Sequence, residues 1–168
     1  MKSIIISVLG DDKPGLVDNL SSFIVKHGGD WIESRMSHLG GKFAGILSVN
    51  IADNNVKAFI DDVSTANIGL QVLCEVSDIS EITEYNNYHI ELTGQNRPGI
   101  IYNLTHVLAE FKANVEELTS EVIEAPMSGE ELFIATINIH LPKQISELTI
   151  KKKIERIANE FVADIQLK

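Results

Sequence analysis

The chain has 168 residues, 44% of them hydrophobic, and a formal net charge of −10 at pH 7. That length holds one ordinary domain or two small ones, and the balance of apolar and charged residues is that of a globular protein, not of a disordered or membrane one. The negative charge opposes contact with phosphate backbones, which need Lys and Arg to neutralise them, so no direct nucleic-acid partner is expected. Cys74 is the only cysteine, which excludes an intrachain disulfide and points to the cytoplasm.

Residues 4–9 form a short, β-branched run that reads as a first strand. The run is too short for a secretory signal core, and no stretch approaches the length that spans a bilayer, so no membrane contact is expected. Gly10-Asp11-Asp12-Lys13-Pro14-Gly15 follows as a loop. Leu16, Val17, Leu20, Phe23 and Ile24 then have the spacing of a helix that buries one face, stopped by Gly28-Gly29. Residues 31–39 and 42–52 read as two strands of a hairpin turned at Gly40-Gly41. Val56, Phe59, Ile60 and Val63 mark a second helix with caps near Asp53-Asn54, and residues 70–76 supply a last strand. A polar, acidic connection without helical period occupies residues 77–87.

The rest of the chain repeats this order. Gly94-Gln95-Asn96-Arg97-Pro98-Gly99 restates the loop 84 positions later, and the same displacement carries Ile4, Ile6 and Val8 onto Tyr88, Ile90 and Leu92. It also carries Leu16, Val17, Leu20, Phe23 and Ile24 onto Ile100, Ile101, Leu104, Val107 and Leu108. Asn50-Ile51 matches Asn138-Ile139 at a displacement of 88, so the second half gains four residues near Pro126 and Gly129, a longer turn. Its hairpin spans 115–123 and 131–141, its second helix carries Ile150, Ile154, Ile157, Ala158 and Phe161, and residues 162–167 close it. Two βαββαβ halves predict an α+β protein of two ferredoxin-like domains, each an antiparallel sheet with both helices on one face. The domains are placed at 1–76 and 88–168, joined by the 77–87 linker.

Each loop lies between a strand end and a helix start, where unpaired N–H groups and the helix dipole favour an anionic group such as a carboxylate. Pro14 and Pro98 suit the first helical position, and Gly15 and Gly99 leave the backbone bare for a ligand. Lys13 and Arg97 at the N-cap leave those N–H groups open; a helix that starts one residue earlier makes Asp12 and Asn96 the caps. Asn96 offers a neutral donor and acceptor where Asp12 offers an anion that repels a carboxylate, which makes the second loop the better ligand site.

Catalytic, metal and cofactor chemistry find little support. Asp11-Asp12 reads as a pair of solvated turn residues, since Gln95-Asn96 takes the same place without charge. His27, His38, His89, His106 and His140 lack metal-ligand spacing, and Cys74 reads as a half-buried strand thiol. No metal, no cofactor and no catalytic residues are assigned. The central strands carry aliphatic rather than aromatic side chains, unlike RNA-binding sheets. Lys151, Lys152, Lys153 and Arg156 form the one notable basic cluster, a surface for an acidic partner.

The repeated Gly-x-x-x-Pro-Gly loop after the first strand of a βαββαβ half resembles the ACT domain, an amino-acid-sensing module. The tandem arrangement, covering almost the whole chain, is similar to the glycine cleavage system transcriptional repressor family. That resemblance implies a non-enzymatic regulator that responds to a small amino acid, glycine or serine. It implies action through a protein partner such as a transcriptional activator rather than DNA, and a homo-oligomer. Carried onto this sequence, the ligand site becomes Asp11, Asp12, Lys13, Pro14 and Gly15 with Gln95, Asn96, Arg97, Pro98 and Gly99. The alternative is a ligand-free assembly module that dimerises and bridges partners.

Overall fold

The computed structural model describes residues 1–77, 84–126 and 129–168. Contacts divide the chain into two units, Met1–Ser80 and Glu81–Lys168. The first runs β1 (Lys2–Asp11), α1 (Leu16–Lys26), β2 (Asp30–Leu39), β3 (Lys42–Ile51), α2 (Val56–Thr65) and β4 (Gln71–Val76). The second repeats it as β5 (Tyr85–Gln95), α3 (Ile100–Glu110), β6 (Asn114–Glu124), β7 (Glu131–Pro142), α4 (Glu147–Phe161) and β8 (Ala163–Leu167). The sheets have the strand orders β2-β3-β1-β4 and β6-β7-β5-β8, with every neighbouring pair antiparallel. Each unit is therefore the expected ferredoxin-like sandwich.

Alternation along each strand decides which face is buried. Ile4, Ile6 and Val8 of β1 and Leu47, Val49 and Ile51 of β3 point into the first core, where α1 supplies Leu16, Leu20 and Ile24 and α2 supplies Phe59 and Val63. Ile90 and Leu92, with Ile137, Ile139 and Leu141, do the same in the second unit beneath Ile100, Leu104 and Leu108 of α3 and Ile150, Ile154, Ile157 and Phe161 of α4. Val17, with the helical spacing of a core residue, is instead 45% exposed at the margin of that face.

The β2–β3 hairpin turns at Gly40-Gly41, with φ of 59° and 75° between the paired Leu39 and Lys42. Two positive φ values make the tight turn whose twist matches the strands, and glycine adopts them without a Cβ penalty. Both outer strands carry a register shift at the same place in the repeat, between Trp31 and Glu33 and between Val115 and Glu117.

Strand register corrects the internal alignment. Ile4 pairs with Val49 and Tyr88 with Ile139, while Trp31 pairs with Val49 and Val115 with Ile139. Val49 thus corresponds to Ile139, a displacement of 90, and the second hairpin gains six residues (90 less 84) rather than four. A two-residue slip keeps every side chain on its own face, so the Asn-Ile match at 88 satisfied the hydrophobic pattern equally well.

Two boundaries also move. β5 begins at Tyr85, so residues 85–87 of the expected linker are strand, paired with Pro142, Leu141 and His140; residues 78–83 of that linker lie outside the described residues. The N-cap of α2 is Asn55 rather than Asp53 or Asn54, and Asp53 instead meets the terminal ammonium at 2.7 Å.

Candidate functional site

Each strand runs further into its loop than the motif implies. Gly10 and Asp11 pair with Phe43 and Lys42, and Gly94 and Gln95 pair with Phe133 and Leu132, leaving turns at 12–15 and 96–99. The N–H of Asp12 donates to the Gly41 carbonyl at 3.0 Å and that of Asn96 to the Glu131 carbonyl at 3.1 Å, tying each turn to the neighbouring strand.

The helix starts differ from both expected registers. The N-caps are Gly15, at φ 91°, and Gly99, at φ 95°, so Pro14 and Pro98 precede the helices instead of opening them, and neither Lys13 and Arg97 nor Asp12 and Asn96 are caps. A Cβ at Gly15 would meet nothing within 4 Å, and one at Gly99 only Asn103 Nδ2 at 3.5 Å. The glycines are required by left-handed backbone, not by crowding. Their carbonyls accept the N–H of Asn19 and of Asn103, each at 2.9 Å. Neither helix has a side-chain cap, so the first-turn N–H groups of α1 and α3 have no intrahelical acceptor and no capping side chain.

The side chains around the two turns are chemically unlike. Asp11 is ion-paired with Lys42, its cross-strand neighbour, which holds its carboxyl below the usual 3.8 by hydrogen bonding and charge. Asp12 lies 3.6 Å from His38. At the second turn, Asn96 Nδ2 donates to Glu131 at 2.9 Å and Arg97 donates to Gln95 Oε1 at 2.7 Å. Lys42 and Glu131 were not singled out from sequence, because each reaches its turn only through the hairpin pairing. Beside the first turn a depression of about 420 Å³ opens at the end of β1, between Lys42 and the 67–71 segment that follows α2.

Two cations of the basic run of α4 are ion-paired. Lys151 pairs with Glu147 at 2.7 Å and Lys153 with Glu110 at 3.2 Å, on different sides of the helix, while Lys152 and Arg156 are exposed. Among the described residues no group of three His, Cys, Asp or Glu side chains is placed to hold a metal ion. Burial pushes the Cys74 thiol up to about 11, which keeps it protonated near neutral pH. No helix among the described residues is long and apolar enough to cross a membrane.

Two antiparallel βαββαβ sandwiches, each with a Pro-Gly turn feeding a helix without a side-chain cap, define a tandem ferredoxin-like α+β protein. The sequence model of the ACT domain matches residues 2–77 and 89–168, and the chain belongs to the ACT domain family. It is similar over 99% of its length to 97% of an unknown protein from Galdieria sulphuraria, at 27% identity and a TM-score of 0.86. It also matches 96% of a protein named as a candidate glycine cleavage system transcriptional repressor, again over 99% of this chain, at 13% identity and a TM-score of 0.68. The tandem fold of that repressor-like protein is thus shared end to end. No curated protein matches the chain.

Proposed function

We propose that this protein is an amino-acid-responsive regulator that binds a small amino acid, glycine or serine, and acts by contact with another protein, such as a transcriptional activator of glycine cleavage genes, in the cytoplasm. The observation that carries this reading is the pair of uncapped helix N-termini behind the Pro-Gly turns, present in both halves of a tandem ACT chain. Free first-turn N–H groups and the helix dipole suit a ligand carboxylate, and the net charge of −10 argues for a protein rather than a DNA target. The end-to-end likeness to a protein named for glycine cleavage repression supports the regulatory role. Lys152 and Arg156 are the exposed cations of α4 that would meet an acidic partner.

Calorimetric titration of the purified chain with glycine, serine and the other amino acids tests the sensor reading. Saturable heat with one of them supports it, and Asn96→Ala and Asp12→Ala separate the two turns. No heat at millimolar concentration overturns it. The first sheet favours a second reading, assembly without a ligand, because Leu9, Ile46 and Leu73 are 47%, 47% and 63% exposed on the face away from the helices. Sedimentation equilibrium of wild type and Ile46→Asp decides that: a dimer dissociated by the substitution supports it, and a monomer in both excludes it.

A further inference from the structure

β6 stands at one end of the strand order of its sheet, so its outer edge carries backbone N–H and C=O groups that no other strand of the sheet pairs, and every residue of it but Ile123 is exposed. Val115, Leu118 and Val122 stand opposite Ile139, Ile137 and Phe133 and so lie on the helix-facing side, yet they are 36%, 39% and 49% exposed. They form an apolar strip along the edge that the helices leave uncovered. The same strand carries Glu116, Glu117, Glu121 and Glu124, with no Lys or Arg among its 11 residues. Glu116 pairs with His140 at 3.1 Å and Glu117 accepts from Asn138, whereas Glu121 and Glu124 have no cationic partner among the described residues. Glu124 stands directly opposite Glu131, a like-charge pair that repels across the strands until a cation joins it.

The equivalent edge of the first unit is built differently. By register, Ser34 and His38 of β2 take the places of Leu118 and Val122, and Met36, in the place of Ser120, packs against the core. Arg35 pairs with Glu33 at 2.8 Å, where the second unit has Thr119 and Glu117. The apolar strip and the unbalanced acids therefore occur together on β6 and not on β2. Glutamates that only kept the edge from aggregating would act best within the strip itself, but Glu117 and Glu121 stand opposite Asn138 and Ile134, on the other side of the sheet. Two β6 edges brought together would set these carboxylates against each other, which disfavours a second copy as the occupant.

We propose that the outer edge of β6 docks an extended basic segment of a partner protein as an added strand. Its backbone pairs with the unpaired edge, its apolar side chains cover Val115, Leu118 and Val122, and its Lys or Arg side chains meet Glu117 and Glu121 on the other side of the sheet. Side chains of a strand alternate between faces, so a segment that alternates apolar and cationic residues satisfies both at once. This rests on the reading that the chain acts by contact with another protein, and it gives that contact a place and a chemistry. The surface is separate from the cations of α4.

Fluorescence anisotropy of the full chain with a labelled peptide of alternating valine and arginine, beside one of alternating valine and glutamate, tests it, together with amide hydrogen exchange of the complex. The expected result is saturable binding of the arginine peptide alone and added protection of β6 amides. Leu118→Ser, and separately Glu121→Lys combined with Glu124→Lys, should weaken binding at least tenfold with Tm changed by no more than a few degrees. No binding, binding that these variants leave unchanged, or binding that protects no β6 amide would overturn the proposal. Protection of β6 that rises with protein concentration in the absence of peptide would overturn it in favour of a second copy. Amino-acid heat without peptide binding strikes only this docking, peptide binding without amino-acid heat strikes only the sensor reading, and absence of both strikes the two together.

Discussion

The two units agree on the side of the sheet that faces the helices and disagree on the side that does not. Ile4, Ile6 and Val8 correspond to Tyr88, Ile90 and Leu92, and Leu47, Val49 and Ile51 to Ile137, Ile139 and Leu141, apolar throughout. On the open face, by the same register, Ile5 becomes His89, Leu9 becomes Thr93, Ile46 becomes Thr136 and Leu73 becomes Gln166. Ser48, bonded to Ser3 at 3.2 Å, becomes Asn138, whose Oδ1 accepts from His89 Nδ1 at 2.7 Å and whose Nδ2 donates to Glu117 at 2.9 Å. The helix-facing side must stay apolar because its burial drives folding, whereas the open side is free to take on separate tasks in each copy.

The sharpest way to break the comparison is to charge the shared core. Leu20 and Leu104 are equivalent and fully buried. Leu20→Asp and Leu104→Asp should each cost more than about 4 kcal/mol, since an unpaired carboxylate replaces packed apolar surface. Hydrogen exchange should show loss of protection confined to residues 1–77 for the first and to residues 84–168 for the second. Protection lost throughout by either one would mean that the two cores do not fold as separate units.

Gly10 and Gly94 are equivalent glycines held by different obstacles. A Cβ at Gly10 meets the Gly69 carbonyl at 2.6 Å, and one at Gly94 meets the Ala163 Cβ at 2.5 Å. Either alanine variant should lose about 1–3 kcal/mol by overpacking. Ala163→Gly should restore part of the loss in Gly94→Ala, while Gly10→Ala obstructs backbone and has no such side-chain remedy; denaturant melts of the single and double variants read this out. Gly15→Ala and Gly99→Ala should each cost about 1–2 kcal/mol from left-handed backbone alone, nearly equally, because neither new methyl meets an obstacle.

A smaller effect belongs to the open faces. Asn138→Ser should lose about 1 kcal/mol by removing the bonds to His89 and Glu117, whereas Ser48→Asn should be close to neutral, which urea melts can compare. The smallest effect is on pH dependence. Asp11 beside Lys42 and Glu91 beside Lys168 both have lowered carboxyl pKa values, so each contributes stability above its unfolded value that is lost as pH falls through its folded one. Carboxyl titration by NMR should show Lys42→Met returning Asp11 toward 3.8 without moving Glu91, and Lys168→Met returning Glu91 toward 4.5 without moving Asp11.

Much of this molecule was legible in sequence because it rests on short-range periodicity. The duplicated order of elements, the buried Leu16, Leu20 and Ile24 with their counterparts, and the Gly40-Gly41 hairpin follow from spacings of two, of three to four, and from glycine in a turn. The recurrence of Pro-Gly at the head of two helices marked the candidate turns for the same reason. What sequence read wrongly or left open depended on pairing between distant segments. A slip of two residues in β7 changes no face and so leaves no trace in the hydrophobic pattern, and only the cross-strand register revealed that six residues, not four, were inserted.

The chain by itself thus determined that it folds as two ACT units with apolar helix-facing surfaces, since local spacing dictates which side chains share a face. The tertiary structure alone decided what those units present. It set Lys42 beside Asp11, Glu131 beside Asn96, and a depression beside the first turn, because strand pairing and the connection after α2 bring together groups that no local spacing relates.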